Sequence, residues 1–475
     1  LAAALCRIFR QDGYRVAPFK SQNMALNSFI TAEGGEMGRA QVVQAEAAGI
    51  APDVRMNPIL LKPTTDSGSQ VIVNGQVVGN MRATEYYRRK REFLPAVTAA
   101  YESLAAEYDV IVIEGAGSPA EINLKQDDFV NMGLAKLVDA PVLLIGDIDR
   151  GGVFAQLYGT VALLQPEERA RVVGTVINKF RGDVELLRPG LAMLEEKTGV
   201  PVLGVVPYTR ADIDDEDSLA PCLAQTQQRR PLDIAVVRLP RISNFTDFSP
   251  LESHPALGVR YVERAGQLGE PDLVVLPGTK NTMGDLAWMR QNGLEAAVKK
   301  LAAAGTPVLG VCGGYQMLGT ALDDPDGVEQ GGRMDGMGLL PCATRFTGQK
   351  VRTRVQACAA AGPFAGAQLD GYEIHMGRTE RGGTPPFCLL ADGTPEGAAA
   401  GNVFGTYLHG LFDTGELTEK LAAWLLACKG LSAADVRAES HAAYKERQYD
   451  LLADAVRTAV DIAAVYRAMD ACAAK

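Results

Sequence analysis

No Cys-x-x-Cys pair occurs in the chain, although it holds eight cysteines, and none of the eight lies in a short Cys-rich segment. That absence excludes a zinc ribbon and a disulfide framework. It suits a reducing, cytoplasmic setting, where thiols persist as small hydrophobes unless one has a chemical task. No apolar run approaches the roughly 18 residues of a membrane span, so no membrane partner is expected. Basic residues are in short supply too: 47 Lys and Arg stand against 57 Asp and Glu, a formal net charge of −10. Nucleic-acid backbones are held mainly by clustered positive charge, so no nucleic-acid partner is expected either. Histidine is scarce, with His254, His375, His409 and His441 the only four.

What is present is the composition of an ordinary globular protein, 475 residues of which 47% are hydrophobic and 22% charged. At about 150 residues per domain the length gives a prior of roughly three domains. Apolar, Val- and Ile-rich runs at 15–19, 109–113, 141–145, 172–177 and 201–206 alternate with helical stretches. This is the pattern of parallel strands covered on both faces and joined by crossover helices. Val71-Ile-Val-Asn74-Gly75-Gln-Val-Val78 reads as a small hairpin inserted at the sheet edge, because Asn-Gly supplies the positive φ angles of a tight turn. Residues 207–231, acidic at 212–217 and then rich in Gln and Arg, show no strong periodicity and mark the domain boundary. A second alternating series follows at 234–237, 273–276, 308–311 and 403–408. The sequence therefore predicts an α/β protein of two doubly wound, mostly parallel-sheet domains, at 1–228 and 229–445. A C-terminal helix over 446–475 is expected to pack on the second domain. The basic run Arg88-Arg-Lys-Arg91 reads as the solvated face of a long helix over 82–107, with electrostatic steering of a polycarboxylate as the other reading.

The most specific local signal is Val308-Leu-Gly310-Val-Cys312-Gly313-Gly314-Tyr-Gln316, an apolar strand running through Gly-x-Cys-x-Gly into a helix. Small residues on both sides of the cysteine allow the sharp turn that lifts a nucleophile above a sheet. A thiol at a helix N-terminus is favoured as the thiolate, the reactive species. A thiolate nucleophile needs a base, and His409 ends an apolar strand, where parallel α/β sheets collect functional side chains. His254 and His441 lie in polar sequence and read as solvated. His375 shares a strand face with Glu373, two residues before it.

These residues resemble the class I, or triad, glutamine amidotransferase domain over about residues 232–430. The resemblance implies that Cys312 attacks the side-chain amide of glutamine, that His409 is the base, and that the fold is flavodoxin-like. It further implies that Gly278 and Gly313 belong to the oxyanion hole and that Gln316 lies against bound glutamine. One departure stands out: the family has an acid two residues after the histidine, and this chain has Leu411 there. The expectation is a Cys-His dyad, with Glu373 as the candidate for the missing polar partner.

In the first half, three strand ends deliver polar groups: Glu114-Gly-Ala-Gly117, then Asp147-Ile-Asp149-Arg150-Gly-Gly152, then Asn178-Lys179. Together they resemble the dethiobiotin-synthetase-like ATPases of the P-loop NTPase class. Such ATPases carry a Walker A loop after their first strand, and no Gly-x-x-x-x-Gly-Lys-[Ser/Thr] occurs in this chain. Residues 1–11 read as a helix already under way, so that strand and loop are expected to precede Leu1, and the use of ATP and Mg²⁺ is expected to depend on them.

The order of the two halves is similar to that of the cobyric acid synthase and cobyrinic acid a,c-diamide synthase family. Pro18-Phe-Lys20-Ser-Gln-Asn23-Met-Ala-Leu-Asn27-Ser28, Leu61-Lys-Pro63 and Gly371-Tyr-Glu-Ile-His-Met-Gly377 resemble its cobyric acid synthase branch. The resemblance implies amidation of the b, d, e and g carboxylates of a corrinoid, adenosylcobyrinic acid a,c-diamide, with glutamine as ammonia donor and ATP and Mg²⁺ as cofactors. It places Glu114 and Asp66 at Mg²⁺, Lys20 near phosphates and Asn178 near adenine. Other readings stay open: the same chemistry on the a and c carboxylates or on a cell-wall lipid precursor, and a non-catalytic corrinoid- or ATP-binding protein. The oligomeric state is not readable from the sequence.

Overall fold

The protein is described here by a computed structural model covering residues 1–65, 68–214, 216, 223, 230–432 and 439–473. The expected boundary at 228 and 229 lies outside the described residues, as does Asp66. In the first half the apolar runs form parallel strands. Val16–Phe19 pairs with Val110–Ile113, and Val172–Phe180 lies between Val142–Asp147 and Val202–Pro207. The helix Ala2–Gln11 packs Ile8 and Phe9 against Val16, Val110, Val112, Val176 and Val206, so one apolar cluster joins the pair to the trio.

The Asn74-Gly75 turn forms as expected, with φ of +47° and +74° at its two residues. Its hairpin does not border the main sheet. It belongs to a separate four-stranded sheet in the order Gln22–Met24, Ile59–Thr65, Gly68–Val73, Gln76–Arg82. The long helix expected over 82–107 is broken into Ala83–Arg89, a 3-10 turn Lys90–Phe93 and Leu94–Glu107, which has Pro95 in its first turn. Lys90 is not solvated: it is buried, its ammonium 4.5 Å from the centre of the Phe129 ring. The basic run is therefore no uniform solvent face.

The second half is built on a six-stranded sheet, Leu257–Val262, Leu232–Val237, Leu273–Leu276, Val308–Val311, Val403–Thr406 and Ala398–Ala400. The first five strands are parallel and the last is antiparallel. Beside it stands a mostly antiparallel sheet led by the long partners Ala343–Ala359 and Gln368–Glu380. The two sheets meet where the chain leaves Val403–Thr406 and the short strand Leu408–His409 crosses to pair with Tyr372 and Glu373.

The C-terminal helix corrects an expectation. His441–Ala459 packs mainly on the first half: Tyr449, Ala453 and Val456 join the cluster of Ile8 and Phe9. Arg7 bonds Asp450 at 2.7 Å and Glu446 at 2.8 Å. Val460 then forms a bridge to Gly204 at the edge of the parallel trio, and Ile462–Ala473 continues the same packing. An amphipathic stripe is readable in sequence, but it does not say which surface it covers.

Candidate active site

The cysteine turn is an elbow whose backbone admits few alternatives. Cys312 adopts φ +51° and ψ −106°, a left-handed conformation that side chains other than glycine rarely take. A Cβ on Gly310 would lie 2.7 Å from the Gly314 carbonyl, and one on Gly314 would lie 1.9 Å from the Leu276 carbonyl. Both glycines are thus required for the helix Gly313–Leu318 to leave the strand so sharply. The Cys312 amide bonds the Thr406 carbonyl at 2.8 Å, which ties the elbow to the strand leading to His409.

His409 is almost fully buried and coupled electrostatically to the Cys312 thiol, which itself donates to the Ile374 carbonyl at 3.6 Å. Its Nδ1 lies 2.6 Å from Asp247 Oδ2, and the other carboxylate oxygen accepts the Gly410 amide at 2.9 Å. Asp247 lies in the 3-10 turn Phe245–Phe248, in the loop that follows the sheet strand Leu232–Val237. Burial disfavours the charged imidazole, but the Asp247 carboxylate and the Cys312 thiol outweigh it and push His409 up to about 10. The Tyr372 ring stacks on the imidazole at 5.4 Å and 21°.

The expected dyad therefore has a third member in contact, and it is not Glu373. That residue is half-buried, pushed up to about 7 by burial and by Glu396, and the His409 nitrogen expected to face it faces Asp247 instead. Leu411, where the acid of a usual triad would stand, is fully buried among apolar side chains. Sequence reasoning missed Asp247 because it searched the histidine's own neighbourhood. The available signal was an acid inside the apolar segment Phe245-Thr-Asp247-Phe248 just past a core strand. His375 bonds the Gly377 carbonyl at 2.7 Å and stacks on Tyr407 at 3.8 Å, and burial pushes it down to about 4. His254 and His441 also depart from expectation. His254 is buried, and His441 is pushed down to about 4 by burial despite the opposing pull of Asp214.

Gly278, Gly313 and Gln316 are brought to the same place. A Cβ on Gly278 would sit 3.1 Å from His409 Cε1, and one on Gly313 would sit 3.1 Å from the Thr279 amide nitrogen. Gln316 is buried, with Oε1 2.8 Å from the Thr282 hydroxyl and Nε2 donating to the Tyr407 hydroxyl at 3.2 Å. Thiol, imidazole, carboxylate and backbone amides thus converge at the carboxyl ends of parallel strands. Such a set can carry acyl transfer through a thiolate.

A second polar group forms in the first half. Lys20 Nζ lies between Glu114 Oε1 at 2.8 Å and Glu216 Oε1 at 3.1 Å, while Gln44 donates to the other oxygen of Glu114. Two residues of the acidic stretch read as part of the domain boundary, Asp214 and Glu216, are thus in ion pairs. Besides Glu216, Asp214 is buried against Arg39 at 2.6 Å. Asn178, near the end of its strand, pairs with Asp147, whose carboxylate bonds Lys179 at 2.9 Å. Three of the four residues expected at the nucleotide thus lie at strand ends of one half, with Lys20 and Glu114 in direct contact. Among the described residues no group of three or more His, Cys, Asp or Glu forms a metal cage. Two carboxylates converging on one ammonium are nevertheless oxygen donors of the kind a hard divalent cation takes.

Residues 233–417 match the family described as CobB/CobQ-like glutamine amidotransferase domain, and residues 1–221 match the CobQ/CobB/MinD/ParA nucleotide binding domain. The chain is 59% identical to the cobyric acid synthase of Ruminiclostridium cellulolyticum, over 99% of this chain and 94% of that one. It is 52% identical to the cobyric acid synthase of Lachnoclostridium phytofermentans, over 99% and 96%. With that of Streptococcus sanguinis the identity is 52%, over 98% and 95%.

Proposed function

The chain belongs to the cobyric acid synthase family, and from that premise we infer that it is a glutamine-dependent, ATP-driven amide ligase of cobalamin biosynthesis. The substrate of this reading is adenosylcobyrinic acid a,c-diamide, amidated at its b, d, e and g carboxylates in the cytoplasm. Among the described residues no helix is long and apolar enough to cross a membrane.

One observation carries the catalytic half of the reading: the Asp247 carboxylate holds His409 at Nδ1, and the same imidazole is coupled electrostatically to the Cys312 thiol. With its pKa pushed up to about 10, His409 holds the proton taken from the thiol as an imidazolium, Nε2–H facing the thiolate while Asp247 holds Nδ1–H. The thiolate attacks the side-chain carbonyl carbon of glutamine. The oxyanion faces the Gly313 amide and the loop at Gly278. His409 returns the proton to the leaving amine, ammonia departs, and a glutamyl thioester remains. A water deprotonated by His409 then releases glutamate and restores the thiol.

In the first half, Lys20, Glu114 and Asn178 are assigned to the nucleotide, with Glu114 and Glu216 as the carboxylates that would hold Mg²⁺. Bound ATP supplies the phosphoryl group that turns a poor acyl donor, the carboxylate, into an acyl phosphate, and Mg²⁺ neutralises charge on the phosphates. Ammonia attacks the activated carbonyl, and phosphate leaves. Local release keeps ammonia unprotonated, whereas free ammonia is mostly ammonium at neutral pH.

The test is the mass of cobyrinic acid a,c-diamide incubated with ATP and either glutamine or ammonia. Four successive amide-for-acid shifts are expected. Cys312→Ala should abolish them with glutamine and keep them with ammonia. Glutamine hydrolysis without any mass shift would leave the glutaminase in place and refute the substrate.

A further inference from the structure

We propose that residues 27–29 of the first half are a positioning element of the glutaminase centre, holding both groups that fix the His409 imidazole. The inference rests on His409 being the base assigned above. Two contacts orient that ring: Asp247 at Nδ1 and the Tyr372 ring on its face. Each is tied to the same short stretch of the other half.

On the Asp247 side, the preceding residue Thr246 donates its hydroxyl to Asn27 Oδ1 at 3.3 Å. Asn244, three residues before Asp247 and left-handed at φ +52°, accepts the Ser28 amide on Oδ1 at 3.3 Å. On the Tyr372 side, the phenol donates to the Ser28 carbonyl at 3.0 Å and accepts from Asn244 Nδ2 at 3.1 Å. The Phe29 ring meets the Tyr372 ring edge-on at 5.4 Å. Asn244 thus closes a ring of bonds through Ser28 and Tyr372, and His409 and Asp247 are held against it. Asn27, Ser28, Asn244, Thr246 and Asp247 are all buried, so water does not replace these bonds when one is lost.

The element is anchored from behind. The Ser28 hydroxyl bonds Glu36 at 3.0 Å and Lys62 at 2.8 Å, and Lys350 of the second half completes the pairing of Glu36 at 2.6 Å. Its chain neighbourhood also matters. Residues 27–29 follow the strand Gln22–Met24, which starts two residues after Lys20, the side chain in contact with Glu114. The geometry of the glutaminase base is therefore set by a segment that begins at the ATP-side cluster. These residues act on catalysis through His409 and do not touch its substrate.

The experiment measures glutamate release by the full chain in wild type, Thr246→Val, Thr246→Ser, Asn27→Ala and Cys312→Ala, with melting curves for each. Thr246→Val keeps the shape and removes the hydroxyl. It is expected to lower kcat about fivefold, the worth of one buried hydrogen bond, with KM for glutamine unchanged. Asn27→Ala is expected to lower kcat at least as much from the other half, and the double variant to lose no more than the larger single loss, because both remove the Thr246–Asn27 bond. Thr246→Ser should restore the rate. A wild-type kcat in both Thr246→Val and Asn27→Ala, or an effect confined to KM, would overturn the proposal. So would two variants that have simply melted at the assay temperature, since that marks a structural role. Glutamate release persisting in Cys312→Ala would instead sink the catalytic assignment on which the proposal rests.

Discussion

Replacing Asp247 by Asn inverts the hydrogen-bond polarity at the base, and the structure says how. Asp247 uses one oxygen on His409 Nδ1 at 2.6 Å and the other on the Gly410 amide at 2.9 Å. An Asn carbonyl must stay on Gly410, because a backbone N–H needs an acceptor. The new NH₂ group then points at Nδ1. Nδ1 becomes an acceptor, the ring proton moves to Nε2, and the atom facing Cys312 can no longer take the thiol proton. Loss of the charge-assisted bond alone, between residues that are 1% and 4% exposed, is worth about 1.5–3 kcal/mol, or roughly ten- to a hundredfold. In a serine triad the same tautomer inversion costs about 10⁴ in kcat, so the expected loss here is on the order of 10³ to 10⁴. The assay is glutamate release at saturating glutamine, run beside ammonia-driven amidation, which should continue. Asp247→Asn retaining glutamate release within about threefold of wild type would refute the reasoning. Equal damage to the ammonia-driven reaction would refute it as well, by showing that the substitution disturbs more than the base.

The raised His409 value has its own consequence for stability. A histidine whose folded pKa lies above its unfolded one contributes stability that is fully present below about pH 6.5 and is lost as pH rises through about 10. The gap in urea midpoint between wild type and His409→Gln should therefore shrink between pH 7 and pH 10. Glu36 runs the other way: burial raises it, but Lys350 and Lys62 outweigh burial and hold it below the usual carboxylate range. Its contribution is present above pH 4.5 and fades as pH falls, and at pH 7 Glu36→Gln should cost about 3–5 kcal/mol by leaving two buried lysines unpaired, read as a fall in denaturant midpoint. Gly278→Ala places a methyl 3.1 Å from His409 Cε1 and 3.2 Å from the Ser243 carbonyl. Overpacking of about 1–3 kcal/mol at the imidazole should lower glutaminase kcat tenfold or more while ammonia-driven amidation persists.

The parallel strands of both halves were legible as apolar runs, and those of the second half, such as Val308–Val311 and Leu273–Leu276, are wholly apolar and wholly buried. Cys312 and His409 were legible for a related reason: each ends such a run, so its place above the sheet follows from its place in the chain. Asp247 was not legible by that route, since it reaches His409 across 162 residues and only the fold brings them together. The long strand Ala343–Ala359 was hidden for a different reason: its middle stretch is half-buried with little alternation, so the mark of a one-sided strand is blurred, and its partner Gln368–Glu380 was legible only around Glu373 and His375. Lys90 and Asp214 misled in the same sense. A charge run and an acidic stretch look solvated in sequence, and only a ring face at Phe129 or a guanidinium at Arg39 makes their burial affordable.

The packing of His441–Ala459 on Ala2–Gln11 reaches into the order of synthesis. Ribosomes deliver chains from the amino end, and domains ordinarily fold as they emerge. Here the cluster of Ile8, Phe9 and Val206 in the lobe that emerges first lacks part of its cover until Tyr449, Val456 and Val465 arrive, after the whole glutaminase lobe has been made. The lobe started first is thus the lobe finished last. The glutaminase lobe, tethered at both ends to a partner still awaiting its cover, must reach a native-like state on its own. Ribosome-bound intermediates stalled before residue 441 should hold a protease-resistant second lobe beside a protease-sensitive first one.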